Sequence, residues 1–251
     1  MRIVTFNILL GGEERYPAIL RLLQELQPDV AVLQECLDWD EDRLASTGEH
    51  LGLPHTVLAA ARPRGSGKRY HVSVLSRLPL REVRVYNDPA VQAHCLVRAE
   101  LEGRLTLLGT HFDAHDESVR LSEARFLNRL FSPDRAMVLA GDLNSLSRRD
   151  PYPRDLEALL KLANTSKYGY PPRFDVLDEL ERAGWLDALY LDGKPERWVT
   201  ARRDRGGVRI DYRTDYLLVS PALRPRVLDC RVGRMKRESD HHPVVLDLRK
   251  V

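Results

Sequence analysis

The stretch 136–145, AMVLAGDLNS, constrains the fold of this chain more than any other. Met137, Val138 and Leu139 form an apolar run too short for a helix and broken at Gly141, so the sequence predicts a buried strand. Asp142 and Asn144 follow two residues apart, and positions i and i+2 of extended chain share a face. A carboxylate and a carboxamide at the open end of a buried strand suit a phosphate site, where the acid takes a metal or a proton and the amide donates to an oxyanion. A strand followed by an Asx-turn reads equally well here. The choice between them depends on how many other strands of the chain end in the same way.

Several do. Residues 2–9 (RIVTFNIL) predict a strand ending near Asn7, before the turn at Gly11-Gly12. A helix over 16–26 carries Pro17 in its first turn and an apolar face of Ile19, Leu20, Leu22, Leu23 and Leu26. Residues 30–34 then form a short buried strand delivering Glu35, which is either a helix N-cap partner or a metal ligand. A charged helix over 40–52 and a strand over 55–60 lead into the loop 62–69, RPRGSGKR. Its glycines and proline predict a loop, and Arg64, Lys68 and Arg69 suit either a phosphate partner or plain solvent.

Strands are expected over 71–76, 83–86, 94–101 and 105–110, the last two as a hairpin around Glu102-Gly103-Arg104. So many strands without intervening helices imply antiparallel pairing. The last of them runs into His111 and Asp113, where a histidine is either a hydrogen-bonded structural residue or a catalyst. A helix over 117–131 precedes the opening stretch. Beyond it the sequence predicts helices over 155–162 and 174–183, the second capped by Gly184, with a Tyr- and Pro-rich loop over 163–173 between them. A short strand over 198–201, a second basic loop over 202–209 and strands over 215–220, 227–232 and 244–246 complete the chain. Asp215 opens one of these strands, and Asp240-His241-His242 precedes the last.

Composition bounds the remainder. With 251 residues, 43% hydrophobic and 30% charged, and no linker-like break, one domain spanning 1–251 is expected. A formal charge of +2 argues against a surface wholly given over to nucleic acid, though not against a local basic patch. Cys36, Cys95 and Cys230 lack metal spacing and suit reduced, buried thiols. No signal-peptide pattern opens the chain, and no apolar run approaches the roughly 20 residues of a membrane helix. A soluble cytoplasmic protein with no membrane span and no obligate protein partner is the expectation.

Taken in order, TFNI, LQE, VLSRLP, GTHFD, GDLNS, DYLLVS and SDHHPV resemble the endonuclease/exonuclease/phosphatase superfamily, also called deoxyribonuclease-I-like. The resemblance covers nearly the whole chain and implies an α+β fold: a four-layer α/β/β/α sandwich with two packed, mostly antiparallel sheets. It implies Mg²⁺ or Mn²⁺ held by Glu35 with Asp240 and Asn7. It makes Asp142 the group that aligns or deprotonates the attacking water, Asn144 a phosphate donor, His241 a phosphate contact oriented by Asp215, and His111 a stabiliser of the phosphate or leaving group. The chain departs from the pattern at His71-Val72, where family members often carry Gly-Asn. Cys36 after Glu35 and His242 after His241 weigh against abasic-site repair.

The activity implied is metal-assisted hydrolysis of a phosphodiester, with nucleic acid or a nucleotide-like ester as substrate. An inositol-phosphate or phospholipid phosphoesterase, and an inactive binding protein on the same fold, are the alternatives. Two Arg-x-Asp-Tyr repeats compete for one motif, Arg209 to Tyr212 and Arg213 to Tyr216. Asp215 is preferred, because only it leads directly into an apolar run. Asp211 is expected in a connecting loop, exposed or paired with an arginine.

Overall fold

The computed structural model describes residues 1–249 except 64–66, 102–104, 194, 206 and 236, and the side chain of Arg205. The first half of the chain runs β1 (Arg2–Asn7), α1 (Tyr16–Leu26), β2 (Val30–Leu37), α2 (Glu41–Leu51), β3 (His55–Ala59), β4 (Tyr70–Ser76), β5 (Arg81–Tyr86), β6 (Cys95–Leu101) and β7 (Leu105–His111). The second half runs α3 (Glu117–Asn128), β8 (Met137–Asp142), α4 (Leu156–Leu162), α5 (Asp175–Ala183), β9 (Leu186–Asp187), β10 (Ala201–Arg205), β11 (Val208–Tyr212), β12 (Asp215–Val219), β13 (Val227–Val232) and β14 (Val244–Leu248).

Two six-stranded sheets result, ordered β13-β14-β1-β2-β4-β3 and β5-β6-β7-β8-β12-β9. Pairing is antiparallel throughout them except for β1 with β2 and β7 with β8, the two pairs joined through a helix. Strand alternation distributes the apolar residues. Ile3, Val32, Val74, Val97, Leu107, Val138 and Leu246 meet between the sheets. Val4, Phe6, Leu33 and Val245 face the α1 residues Ile19, Leu22 and Leu23, while Leu108, Leu139 and Leu218 face Leu127, Val176 and Leu180 of α3 and α5. The layers are therefore helix, sheet, sheet, helix. A fourth cluster joins Leu160 of α4 to Ile210 and Tyr212 of β11, so a β10–β11 hairpin is packed onto the end of the sandwich.

Three expectations change. The strand over 30–34 continues through Glu35 to Leu37, because a bulge against β4 absorbs one extra residue. The segment 202–209 is not a loop: β10 and β11 pair there, and the consecutive charged residues of β10 obscure the strand pattern in the sequence. Correspondingly, the strand expected over 198–201 begins only at Ala201. Both Arg64 and the 102–104 turn lie outside the described residues, as does Gly206.

Gly141 is required where it stands. A Cβ on it would sit 2.1 Å from the Thr110 carbonyl oxygen of the parallel neighbour β7. Gly141→Ala is therefore expected to destabilise the protein by about 3 kcal/mol, measured as a fall in the urea midpoint. An unchanged midpoint would show that β7 and β8 separate there at no cost.

Candidate active site

The neighbouring central strands β1 and β8 of the two sheets end in Asn7 and Asp142, and Asn7 Nδ2 donates to Asp142 Oδ2 at 3.0 Å. The other hydrogen of that amide goes to Glu35 Oε1 at 3.2 Å, and Asn7 Oδ1 accepts from the Leu9 N–H at 3.0 Å. These partners fix the amide orientation. Asn7 thus bridges two carboxylates, and its oxygen, which accepts one backbone N–H, keeps a second lone pair.

Glu35 owes its position to the β2 bulge and adopts φ 56°, a left-handed conformation uncommon for a residue with a side chain. The second carboxylate oxygen accepts from the Leu10 N–H at 3.0 Å. Among the described residues no Lys or Arg lies within ion-pair distance of it, so an acid near a cavity has no cationic partner. Asp240 is half-exposed, with its Oδ1 4.0 Å from His241 Nε2. Glu35, with no Lys or Arg partner among the described residues, and the half-exposed Asp240 suit Mg²⁺ or Mn²⁺, which bind through one or two carboxylates and retain water. Ligand-competent atoms of Asp142, Asp215 and His241 also lie within 4.8 Å of one another. That cluster suits a proton better than a metal, since His241 Nδ1 already bonds Asp215 Oδ2 at 2.8 Å.

The loop before β14 is stitched into place. Ser239 Oγ donates to the Asn7 carbonyl at 2.7 Å and accepts from the His241 N–H at 3.2 Å. Thr200 receives the His242 N–H on its carbonyl at 2.6 Å and the Thr214 N–H on its hydroxyl at 3.0 Å, so one buried residue ties the His241 loop to the start of β12. Arg213, 1% exposed, is paired with Asp187 at 2.6 Å and Asp150 at 3.1 Å. Removing Arg213 would leave two buried acids without their cation. Asp211 sits in β11, paired with Arg202 at 2.5 Å and with Arg209 on the exposed side of the hairpin.

Electrostatics follow from this packing. Burial alone would lower the His241 pKa, but Asp215 and Asp142 outweigh it and hold the imidazolium up to about 10. Burial likewise opposes ionisation of Asp142, yet His241, His111 and Lys167 together pull its carboxyl below the usual range. Asp142 is therefore an anion and His241 a cation at neutral pH.

Asn144 adopts φ 50°, so it does not continue the extended chain; its N–H returns to Asp142 Oδ1 at 2.8 Å. The Asx-turn and the site coexist. Asn144 Nδ2 donates to the Phe112 carbonyl and to His111 Nε2, both at 3.2 Å, while Lys167 Nζ donates to Asn144 Oδ1 at 3.2 Å. Both amide hydrogens have protein acceptors, so in this arrangement Asn144 orients His111. The imidazole of His111 stacks on His94, with centroids 4.5 Å apart. Asp113 lines the cavity shared by Glu35 and His111, and its carboxylate accepts the backbone N–H groups of His115 and Asp116 ahead of α3.

Lys167 and Arg120 escape a reading of the sequence. Lys167 lies in a 3₁₀ turn, Ser166–Tyr168, within the segment read as a loop, and its carbonyl accepts from Arg120. Arg120, wholly buried on α3, also binds Glu117, Ser145 and the Asp113 carbonyl. It fixes the Lys167 turn and the residue after Asn144 to one point. Of the predicted basic-loop residues, Lys68 lines a cavity of about 620 Å³ with Glu35, His111, Tyr70 and Arg62. Arg69 does not: its exposed guanidinium bonds Asp38 at 3.4 Å.

Comparison with known proteins agrees with this architecture. An AP endonuclease from Archaeoglobus fulgidus superposes with a TM-score of 0.74 at 20% identity, all of each chain being covered. The 3′ phosphatase NExo from Neisseria, bound to a product DNA hairpin, gives 0.72 at 22% identity, again over both whole chains. A 3′-5′ exonuclease from Neisseria meningitidis gives 0.71 at 22% identity over both whole chains. No curated protein sequence gives a significant match. Residues 4–241 match the Endonuclease/Exonuclease/phosphatase family, whose members are phosphoester hydrolases, and the chain belongs to that family.

Proposed function

We propose that this protein is a divalent-metal-dependent phosphodiesterase acting on nucleic acid or a nucleotide-like phosphodiester. The observation that carries the reading is the His241 ring, hydrogen-bonded through Nδ1 to Asp215 and 3.8 Å from Asp142, in a site that also holds Glu35, an acid with no Lys or Arg partner among the described residues. Glu35 and Asp240 would hold Mg²⁺ or Mn²⁺, which when bound offsets the charge that develops on the phosphate.

The chain's own groups divide the remaining work. Asp142, kept anionic, accepts a hydrogen from the attacking water and fixes its direction. With Nδ1 tied to Asp215, His241 has Nε2 free to donate to a phosphate oxygen. Asn7 keeps Glu35 and Asp142 at a set separation, and Asn144 orients the His111 ring at the leaving-group side. Lys68 and Arg62 beside Glu35 supply positive charge for a further phosphate of a polyanion. Structural neighbours that include a phosphatase bound to DNA favour a nucleic-acid ester.

EDTA followed by dialysis is expected to abolish hydrolysis of bis(p-nitrophenyl) phosphate, and Mg²⁺ or Mn²⁺ to restore it. Undiminished activity after metal removal would overturn the reading. The same assay run on abasic DNA, single-stranded DNA, RNA and phosphoinositides separates nucleic-acid from lipid esters.

A further inference from the structure

The β10–β11 hairpin has two unlike faces. Outward, Arg202 and Arg209 share Asp211. Directly opposed residues of an antiparallel pair share a face, so the register Ala201↔Tyr212 and Arg203↔Ile210 places these four together on the other side. Ala201, Ile210 and Tyr212 are buried there against Leu146 and Tyr168, and Ala201 forms an isolated bridge with His241, so this face borders the site.

Arg203 is therefore directed inward without an acid to meet it. Among the described residues its buried Nε has no hydrogen-bond partner and no carboxylate lies within ion-pair distance of it. The other inward guanidiniums of this chain are treated differently: Arg120 is paired with Glu117 and Arg213 with Asp150 and Asp187.

A second cation approaches the same aromatic wall. Lys167 Nζ stands 4.9 Å from the Tyr168 ring centre and 5.7 Å from that of Tyr212, and the two rings are 5.5 Å apart. Among the described residues only one of its three donor positions is used, toward Asn144 Oδ1. Burial pushes its pKa down to about 8; Arg120 and Arg203 add to this, and Asp142 and Asp240 oppose it. Two half-buried cations with spare donors, neither in a direct ion pair among the described residues, are stable in company with an anion.

We propose that Lys167 and Arg203 form a phosphate-binding subsite beside Asn144, where their free N–H groups take the oxygens of a substrate phosphoryl group. The subsite rests on the phosphoester reading for its biological ligand. The group it holds is either the scissile phosphate itself or a neighbouring phosphate of the same molecule, and the chemistry of recognition is shared.

Binding of inorganic phosphate to the metal-free protein, followed by calorimetry, tests the site without catalysis. Lys167→Met and Arg203→Gln should each weaken it about tenfold, and Arg203→Lys should recover part of the loss. Circular dichroism establishes that each variant is folded. Phosphate binding within twofold of wild type in both Lys167→Met and Arg203→Gln, or no binding by the wild type, overturns the proposal.

Two chromogenic esters locate the phosphate. Thymidine 5′-(p-nitrophenyl phosphate) carries the scissile group alone, and its 3′-phosphorylated form carries a second. A rise in KM confined to the second ester assigns the subsite to a neighbouring phosphate, and an equal loss on both assigns it to the scissile one. A wild type that hydrolyses neither ester, alongside variants that lose phosphate binding, would remove the phosphodiesterase reading and leave the subsite standing.

Discussion

Asp215→Asn is expected to lower kcat by about 10²- to 10⁴-fold, whereas Asp211→Asn stays within a fewfold of wild type. The change at position 215 is close to isosteric in context. His241 Nδ1 bonds Oδ2, an oxygen that asparagine retains, and Oδ1 has no partner, so an amide nitrogen placed there displaces no donor. What is lost is the charge that sustains the imidazolium. His241 holds its proton up to about 10 because Asp215, then Asp142, outweigh burial. The protonated form is thus fully populated below the ordinary imidazole range and is lost only as pH rises through the raised value. Without Asp215 that loss comes earlier, and the alkaline limb of the kcat profile moves down. Titration of the His241 ring by NMR in metal-free protein reads the same shift without turnover. Asp211 has only surface arginines for partners, and such pairs contribute about 0–1 kcal/mol. A larger loss from Asp211→Asn would place the motif on the other repeat.

The two Arg-x-Asp-Tyr repeats show how much of the site was legible in the sequence. Asp215 could be chosen because a buried strand has a composition, and Leu217-Leu218-Val219 has it. The structure adds what separates the arginines: Arg213 is enclosed by Asp150 and Asp187, from segments 63 and 26 residues away, and no local pattern records such pairing. Strand ends carrying Asn7, His111 and Asp142 were legible for the same reason as the sheets, since apolar runs of strand length are visible along the chain, whereas the bulge that places Glu35 inside β2 was not. The orientation of an amide is not. Asn7 and Asn144 are both turned by partners on other strands, and those partners decide that one bridges carboxylates and the other orients His111. The β10–β11 hairpin is hard to read in the sequence because β10, ARRDR, is charged at every position after Ala201 although β11 alternates normally, and Lys167 is invisible because its place depends on Arg120, 47 residues earlier. Cys36 and Cys95 are buried as expected, their thiols pushed up to about 12 by desolvation, whereas Cys230 is only half-buried.

Glu35→Gln is expected to raise the Mg²⁺ concentration for half-maximal activity by at least about tenfold, and to cost more at low than at saturating metal. The carboxylate now accepts Asn7 Nδ2 on one oxygen and the Leu10 N–H on the other. Glutamine must turn its own N–H₂ toward one of these donors, so the variant loses a hydrogen bond as well as a charge. That clash is worth about 1–3 kcal/mol and lowers Tm whether or not Glu35 binds metal, so stability alone is not diagnostic. The metal dependence is. A ligand's removal weakens occupancy first, and excess Mg²⁺ recovers part of the rate, whereas a clash that distorts Asn7 and Asp142 is indifferent to metal. Glu35→Asp separates the two effects further, since it retains the charge and withdraws it by one methylene. Direct Mn²⁺ binding by electron paramagnetic resonance should weaken in the order wild type, Glu35→Asp, Glu35→Gln. Equal losses of activity at every metal concentration, with Mn²⁺ affinity unchanged, would make Glu35 a support for Asn7 and the Leu10 turn and move the cation elsewhere.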